Sequence, residues 1–411
     1  MSATTDVVEA LDRIVYLLDR ELAPSSKVRA YANAAALVSE MPAGELEDRV
    51  AAGTLQELPG IGPSTSSVIA AVVKGETPKK LTDLERTSVL PLTDDGRVYR
   101  EALKGDCHSH STWSDGGASI EQMALTAMAL GHDYLVMTDH SPRLTVAHGL
   151  DRERLEAQLE EIDHLNEQLA PFRILSGVEV DIFEDGSLDG QDDMLERLDV
   201  VVASAHSKLS MDGEEMTRRL VLAAANPHVD ILGHITGRKL RARVPKPGEE
   251  YEVARKQSKF DPDLVFAACA QFDTAVEINC RPERQDPPDE LLELALEWGC
   301  RVAIDTDAHA TGQLEWQVYG CDKAARHEIE LDRIVNTMAA DDLTSGPPPT
   351  AAGRLSPLCR RRPRSVAPTP SARPPTTAAS PTRVAERSSP PPSSSLSPRR
   401  HRRCAPRGAR R

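Results

Sequence analysis

The stretch GDCHSHSTWSDG, residues 105–116, packs two histidines, one cysteine and two aspartates into twelve positions. With Lys104, its first half reads as a short strand, KGDCHSH, ending on His108 and His110. Six more apolar runs downstream close on polar or imidazole side chains: YLVMTDH (134–140), RILSGVEV (173–180), DVVVASAH (199–206), VDILGHI (229–235), AVEINC (275–280) and RVAIDTDAH (301–309). Helical stretches lie between them: SIEQMALTAMALG, RERLEAQLEEIDHLNEQL, EEMTRRLVLAAAN, PDLVFAACAQF and PDELLELALEWG. Near-continuous apolar strands alternating with helices indicate a parallel sheet buried on both faces, and seven repeats suggest an α/β barrel. An open doubly wound sheet is the alternative, disfavoured because no GxGxxG follows the first strand.

A parallel barrel gathers the carboxyl ends of its strands on one active face. Six of the twelve histidines (His108, His110, His140, His206, His234 and His309) fall at or just past those ends, together with Asp115, Glu179 and Asp307. His108 and His110 are two apart on a strand and so share a face, as do Asp307 and His309, while Cys107 is expected to turn to the other face as a wall residue. Asp139 reads as a support for the site, and His132, His148, His164, His228 and His327 as ordinary histidines. One histidine at such a place is most simply a packed side chain; the joint pattern reads as a metal centre. Six imidazoles and three carboxylates exceed what one ion takes, which implies two or three divalent ions. Nitrogen and oxygen ligands without thiolate suit Zn, Mn or Fe better than Mg or Ca. Clustered ions of this kind make hydroxide at neutral pH and stabilise charge at phosphorus, which points to phosphoester hydrolysis.

Charge divides the chain sharply. The whole carries −15, but residues 351–411 hold 15 Arg against Glu386 alone, so residues 1–350 carry −29. An acidic body argues against broad adhesion to nucleic acid, although a local basic groove can still engage phosphates. From about Thr344 to the end (344–411), Pro, Ser and Arg dominate, and a disordered tail is expected. Fifteen Arg without Lys favours an out-of-frame end to the gene over a basic arm for nucleic acid. No apolar run reaches the ~20 residues of a membrane span. The start lacks a basic signal region, and the seven cysteines form no CxxC, so a cytosolic, reduced protein without membrane contact is expected.

Residues 1–85 read as a small all-helical domain. VVEALDRIVYLLDREL and SSKVRAYANAAALVSEM have apolar residues at helical spacing, the latter with serine at a plausible N-cap, and LEDRVAAGTL follows. Leu58-Pro59-Gly60-Ile61-Gly62 then makes a tight turn between short helices, whose backbone N–H groups at Gly60 and Gly62 can hold a DNA phosphate. LPGIGPSTSSVIAAVVKGE resembles a helix-hairpin-helix and, with KVRAYANAAALV, is similar to the amino-terminal domain of family X DNA polymerases. The lysine that forms a Schiff base in that family falls at Val68 here, and Ser64 replaces a neighbouring lysine, so the resemblance implies DNA holding without lyase activity.

HSHSTWSDG, TDHS, GVEVDI, SAH, GHITGR, EIN and DTDAH together resemble the PHP (polymerase and histidinol phosphatase) domain over most of residues 104–343. EINCRPERQDPP and TDHSPRLTVAHGL are similar to the version found in bacterial family X polymerases. The resemblance implies a distorted, TIM-like (β/α)7 barrel with three metals. One would be held by His108, His110, Glu179 and Asp307, a second by Glu179, His206 and His234, the third by Asp115, His140 and His309, with Glu179 bridging. Only a linker, residues 86–103, stands where a polymerase palm would be, so no nucleotidyl transfer is expected; Asp94-Asp95-Gly96 in it reads as a turn. The resulting reading is a multi-metal phosphoesterase for DNA ends (3′→5′ exonuclease, 3′-phosphatase or abasic-site nuclease), with Lys208, Arg238 or Arg143 helping to neutralise the oxyanion. The alternatives are a histidinol-phosphate-type phosphatase of small esters and a non-catalytic DNA-binding protein with structural metals.

Overall fold

Val200-Val201-Val202 shows how the sequence builds the sheet: β-branched residues fit a pleated, doubly covered surface, and alternate side chains leave on opposite faces. In the computed structural model, which describes residues 3–241 and 252–345, these residues lie in β4 (Val200–Ser204). The other strands among the described residues are β1 (Gly105–Asp106), β2 (Tyr134–Met137), β3 (Arg173–Asp181), β5 (Ile231–Leu232), β6 (Lys239–Leu240), β7 (Val253–Arg255), β8 (Ala275–Asn279) and β9 (Val302–Asp305). β1-β2-β3-β4-β5-β8-β9 pair in parallel in that order, and a bridge between Ser109 and Ala308 brings the last strand round to the first. The result is the nearly closed seven-stranded barrel that the repeats predict. β6 and β7 form a separate antiparallel hairpin.

Tyr134, Val136, Leu175, Val200, Val202, Ile231 and Ala303 form an inner cluster. Their neighbours Leu135, Met137, Val201, Ala203, Leu232 and Val276 pack outward on the helical layer. Cys107 corrects an expectation: it belongs to the inner cluster, because the chain bends there and interrupts the strand alternation. Asp307 corrects another. β9 ends at Asp305, and Asp307 has a left-handed backbone (φ 52°), so Asp307 and His309 meet through a reversal of the chain, not along a strand.

The helices in chain order are α1 (Ala3–Arg20), α2 (Ser25–Ser39), α3 (Glu45–Ala52), α4 (Pro63–Val73), α5 (Lys79–Thr87), α6 (Asp94–Ala102), α7 (Ile120–Ala129), α8 (Arg152–Leu169), α9 (Asp192–Leu195), α10 (Gly213–Ala224), α11 (Pro262–Phe272), α12 (Asp289–Glu297), α13 (Gln317–Arg326) and α14 (Ala340–Ser345). In α1, Val7, Leu11, Ile14, Leu17 and Leu18 keep helical spacing and pack on Tyr31, Val38, Leu46, Ile69 and Leu84, giving the first five helices a core of their own. The N-cap of α2 is Pro24, not a serine, and it offers no side-chain cap.

The expected linker is structured. Thr93 caps α6 by accepting a hydrogen bond from Gly96 N, which makes Asp94 and Asp95 the acidic first turn of a helix where a turn was expected. Asp322 of α13 accepts from Thr93 N (3.0 Å) and Thr93 Oγ1 (2.7 Å), fastening that cap to the barrel. The helical domain and barrel belong to one compact unit. Their contact runs through a 3-10 helix, Thr311–Trp316: Tyr16 Oη donates to Glu315 (2.5 Å), Arg20 pairs with the same carboxylate (2.6 Å), and Trp316 Nε1 donates to Arg20 O (3.0 Å). Gly312 permits the approach, since a Cβ there would run into Tyr16 O. The proposed tail overlaps α14 at Thr344 and Ser345; its remainder, residues 346–411, lies outside the described residues.

Candidate metal centre

Glu179, on β3, is the hub. Its Oε1 lies 2.9 Å from His234 Nε2 and 3.2 Å from His206 Nε2. Its Oε2 lies 2.9 Å from His140 Nδ1, 3.4 Å from His108 Nε2 and 3.6 Å from His110 Nε2. Asp307 Oδ1 approaches His110 Nε2 at 3.5 Å, and Asp115 Oδ1 lies 3.3 Å from His309 Nε2 and 3.5 Å from His140 Nε2. All nine residues singled out in the sequence as ligands are therefore brought together at the barrel mouth. Three overlapping groups have donor atoms within 4.8 Å of one another: His110, Asp115, His140 and His309; His108, His110 and Glu179; and His140, Glu179 and His206. They overlap the sets implied by resemblance, with His110 and His140 each shared between two groups.

The donor atoms fit metal ions better than they fit each other. His108 Nε2, His110 Nε2, His140 Nδ1 and Glu179 Oε2 are buried without a hydrogen-bond partner despite their close approach. Buried polar atoms are rarely left so, and lone pairs converging on common points are the arrangement a cation satisfies. Burial opposes a charge on Glu179, but His206, His108 and His140 outweigh it and hold the carboxyl well below its ordinary range. Burial likewise opposes a proton on His206, yet Glu179 and Asp181 raise it to about 9. Burial and the neighbouring His309 and His140 keep His110 well below its usual value, the neutral form a metal takes.

A surrounding layer fixes the donors. Glu277 Oε1 lies 2.5 Å from His108 Nδ1, and its Oε2 accepts from His234 N at 2.5 Å, so one carboxylate orients two proposed ligands and leaves His108 Nε2 facing the cradle. Asp181 accepts from His206 N (3.1 Å), and Gln313 Oε1 accepts from His309 N (2.8 Å). Asp139 takes Ser111 N, Ser111 Oγ and Gln158 Nε2, holding the loop that carries Asp115 in the supporting role expected of it. Sequence reading missed Glu277 and Asp181, although each sits two residues from a recognised position or in the same EIN and GVEVD strings.

The three basic residues singled out for the oxyanion are placed beside the cradle but outside the lining of its cavity. Arg143 pairs with Asp181 (2.9 Å) and covers the Phe183 ring. Arg238 donates to Arg284 O (2.9 Å) and Gln285 O, so its guanidinium is engaged by a loop backbone. Lys208 is exposed. None of the three lines the cavity of about 240 Å³ beside the cradle, whose cationic wall is Lys239, Arg255, Arg281 and Arg284. Arg284 Nε donates to Asp307 Oδ2 (3.0 Å), and Arg281 Nη1 to Asp307 O (2.9 Å). Both lie just past the end of β8, the same place that drew attention to the histidines.

In the helical domain, Gly60 takes a left-handed backbone (φ 86°) with open space around it, and its N–H finds no partner among the described residues. Gly62 differs from expectation: its N–H already donates to Thr65 Oγ1 at 2.9 Å. Val68 is buried in the domain core.

A parallel barrel with imidazoles and carboxylates converging at the carboxyl ends of its strands defines a multi-metal hydrolase. Residues 106–298 match the PHP domain family, and residues 2–78 a helix-hairpin-helix domain family. The chain is 40% identical over 241 residues to the DNA polymerase/3′-5′ exonuclease PolX of Bacillus subtilis, an overlap of 59% of this chain but only 40% of that protein. It is 33% identical over 213 residues to a probable phosphatase of Acetivibrio thermocellus, covering 50% of this chain and 78% of that one. A solved histidinol phosphate phosphatase from Lactococcus lactis superposes with a TM-score of 0.39 at 18% identity, over 55% of this chain and 93% of its own. The chain belongs to the PHP-domain family of metal-dependent phosphoesterases and carries a helix-hairpin-helix domain in front of the barrel.

Proposed function

We propose that this protein hydrolyses phosphate esters at the ends of DNA strands, as a 3′→5′ exonuclease, 3′-phosphatase or abasic-site nuclease, in the reducing cytoplasm. The observation that carries this reading is the fastening of a helix-hairpin-helix domain, through Tyr16 and Arg20, onto Glu315 of the short helix that follows His309. A domain suited to a nucleic-acid phosphate is thereby built into the same unit as the hydrolytic mouth.

The ions are assigned to His108, His110, Glu179 and Asp307, to Glu179, His206 and His234, and to Asp115, His140 and His309, with Zn, Mn or Fe favoured by the donor set. Bound there, they supply Lewis acidity and lower the pKa of water. The chain's own contribution is orientation and charge. Glu277, Asp181 and Gln313 hold the imidazole-bearing segments, Arg281 and Arg284 offer guanidinium groups for phosphate oxygens, and Leu144 and Leu209 give the cavity apolar edges.

The test is hydrolysis by the purified protein with Mn²⁺ or Zn²⁺, on end-labelled single-stranded DNA beside histidinol phosphate. Shortening from the 3′ end, or release of a 3′-phosphate, supports the reading. Turnover of histidinol phosphate alone would make this a phosphatase of small esters, and DNA binding without any hydrolysis would make the metals structural.

A further inference from the structure

We propose that the β6–β7 hairpin is a phosphate-gripping arm, in which Lys239 and Arg255 hold the backbone phosphate adjoining the one being hydrolysed and so select a polynucleotide strand over a small ester. The proposal rests on the DNA-end reading above and adds the element that would recognise the strand.

The charge is local and against the trend. Residues 237–241 and 252–259 carry Arg238, Lys239, Arg241, Arg255, Lys256 and Lys259 against a single acid, Glu252, within a body of −29. Lys239 and Arg255 are register partners across the hairpin, and both line the cavity that holds His140, Glu179 and Asp307. Arg255 is also crowded by a like charge: besides burial, Arg284 pushes its guanidinium below the ordinary range. Glu283, in the same lining, approaches Lys239 and Arg281 at 3.4 Å each and offsets part of the charge there, whereas Arg255 faces Arg284 with no carboxylate of its own among the described residues, an arrangement that an entering anion relieves. A monoester brings one phosphate, for which the cradle with Arg281 and Arg284 suffices; further cations along the same cavity suit a ligand with phosphates in series.

The arm is rooted firmly enough to position a ligand. Leu240 is buried and its N–H donates to Glu283 O (2.6 Å), Ser258 N donates to Thr236 O (2.8 Å), and Arg255 Nε donates to Gly237 O (2.8 Å). The hairpin's one described acid, Glu252, pairs with Arg241 at 3.0 Å on an exposed edge, and leaves the cavity-facing cations unmatched by any acid of the hairpin itself. Lys239 does approach Glu283 at 3.4 Å, but half exposed, where such a pair is worth little. Arg255, Lys256 and Lys259 have no carboxylate partner among the described residues.

The experiment uses the full chain loaded with Mn²⁺ and the double variant Lys239→Gln, Arg255→Gln. Binding of a fluorescein-labelled single-stranded oligonucleotide is followed by anisotropy across a salt series, and kcat/KM is compared between that oligonucleotide and a p-nitrophenyl ester of a single nucleotide. The variant should bind about tenfold more weakly, with a log K versus log salt slope flatter by about 0.7, the one adjoining phosphate that both cations hold. The ratio of oligonucleotide to small-ester kcat/KM should fall about tenfold, chiefly through KM, and Lys239→Arg with Arg255→Lys should restore the slope. An unchanged slope, or an equal loss on both substrates, overturns the arm. A wild-type protein that leaves the oligonucleotide uncut overturns the DNA-end reading instead, and the binding series then judges the arm alone.

Discussion

The barrel mouth and the hairpin turn at Leu58–Gly62 are both read here as phosphate sites, yet they are made of opposite materials. The mouth is built from side chains, drawn from the ends of separate strands and several of them pinned by a further residue: Glu277 on His108, Asp181 on His206, Gln313 on His309. The turn is built from backbone, and only Gly60 both requires glycine and leaves its N–H unengaged. A side-chain site is chemically specific and fragile to single substitutions; a backbone site tolerates changes that keep the conformation.

The largest effect should fall on the mouth. Elemental analysis is expected to find between two and three transition ions per chain. His108→Ala should lower hydrolysis of any phosphoester by at least about a thousandfold, with the loss of one ion and no loss of circular dichroism. An active metal-free preparation would break the contrast at its root, since the mouth would then no longer depend on its converging lone pairs.

The same contrast explains what could be read in advance. Histidines and carboxylates at strand ends are visible because their identities are rare and their spacing follows the β/α repeat, so the barrel and all nine converging groups were legible. Glu277 was not, because a glutamate inside AVEIN reads as a strand residue until His108 Nδ1 and His234 N are seen to meet it. Arg238 and Arg143 stand out in the sequence because they follow histidines closely, but their backbone and carboxylate partners lie far away in sequence, and it is Arg281 and Arg284 that line the cavity. Asp94-Asp95-Gly96 read as a turn because local propensity cannot show that Asp322 will fasten the Thr93 cap. Gly62 read as a free donor because the return of Thr65 Oγ1 is a matter of rotamer, not of composition.

A smaller effect separates the two glycines of the turn. Gly60→Val forces a β-branched side chain into a left-handed backbone, a strain of roughly 1–2 kcal/mol that rearranges the turn. Gly62 has an ordinary φ of −92° and an engaged N–H, so Gly62→Val should weaken oligonucleotide binding several-fold less. Anisotropy titrations of the two variants give the order directly. Equal losses would mean that bulk near the helix N-terminus, not the backbone of Gly60, governs the contact.

The smallest effect concerns stability, and here the two regions should respond to acid with opposite sign. His132, two residues before β2 and away from the metal centre, is buried beside Arg100, whose Nη2 lies 3.4 Å from its Nε2. Burial and that guanidinium press the imidazole down to about 3. It stays neutral in the fold while the unfolded chain protonates it below about 6.5, so this contribution falls as pH drops from about 6.5 toward 3, by at most ~1.4 kcal/mol per pH unit. In α1, burial raises Asp19 to about 6. Its folded form holds a proton that the unfolded chain releases above about 3.8, so its contribution is present in acid and lost as pH rises through 6. Domain-resolved hydrogen exchange between pH 7 and 4.5 should therefore show α7 and β2 loosening while α1 tightens. Acid also weakens the barrel through its metal centre, so the decisive readings are differences from wild type: His132→Gln should flatten the barrel's pH response alone, and Asp19→Asn that of the helical domain alone. A single slope shared by both regions, shifted equally by either substitution, would show that the two unfold as one cooperative body and that the contrast between them ends at their chemistry.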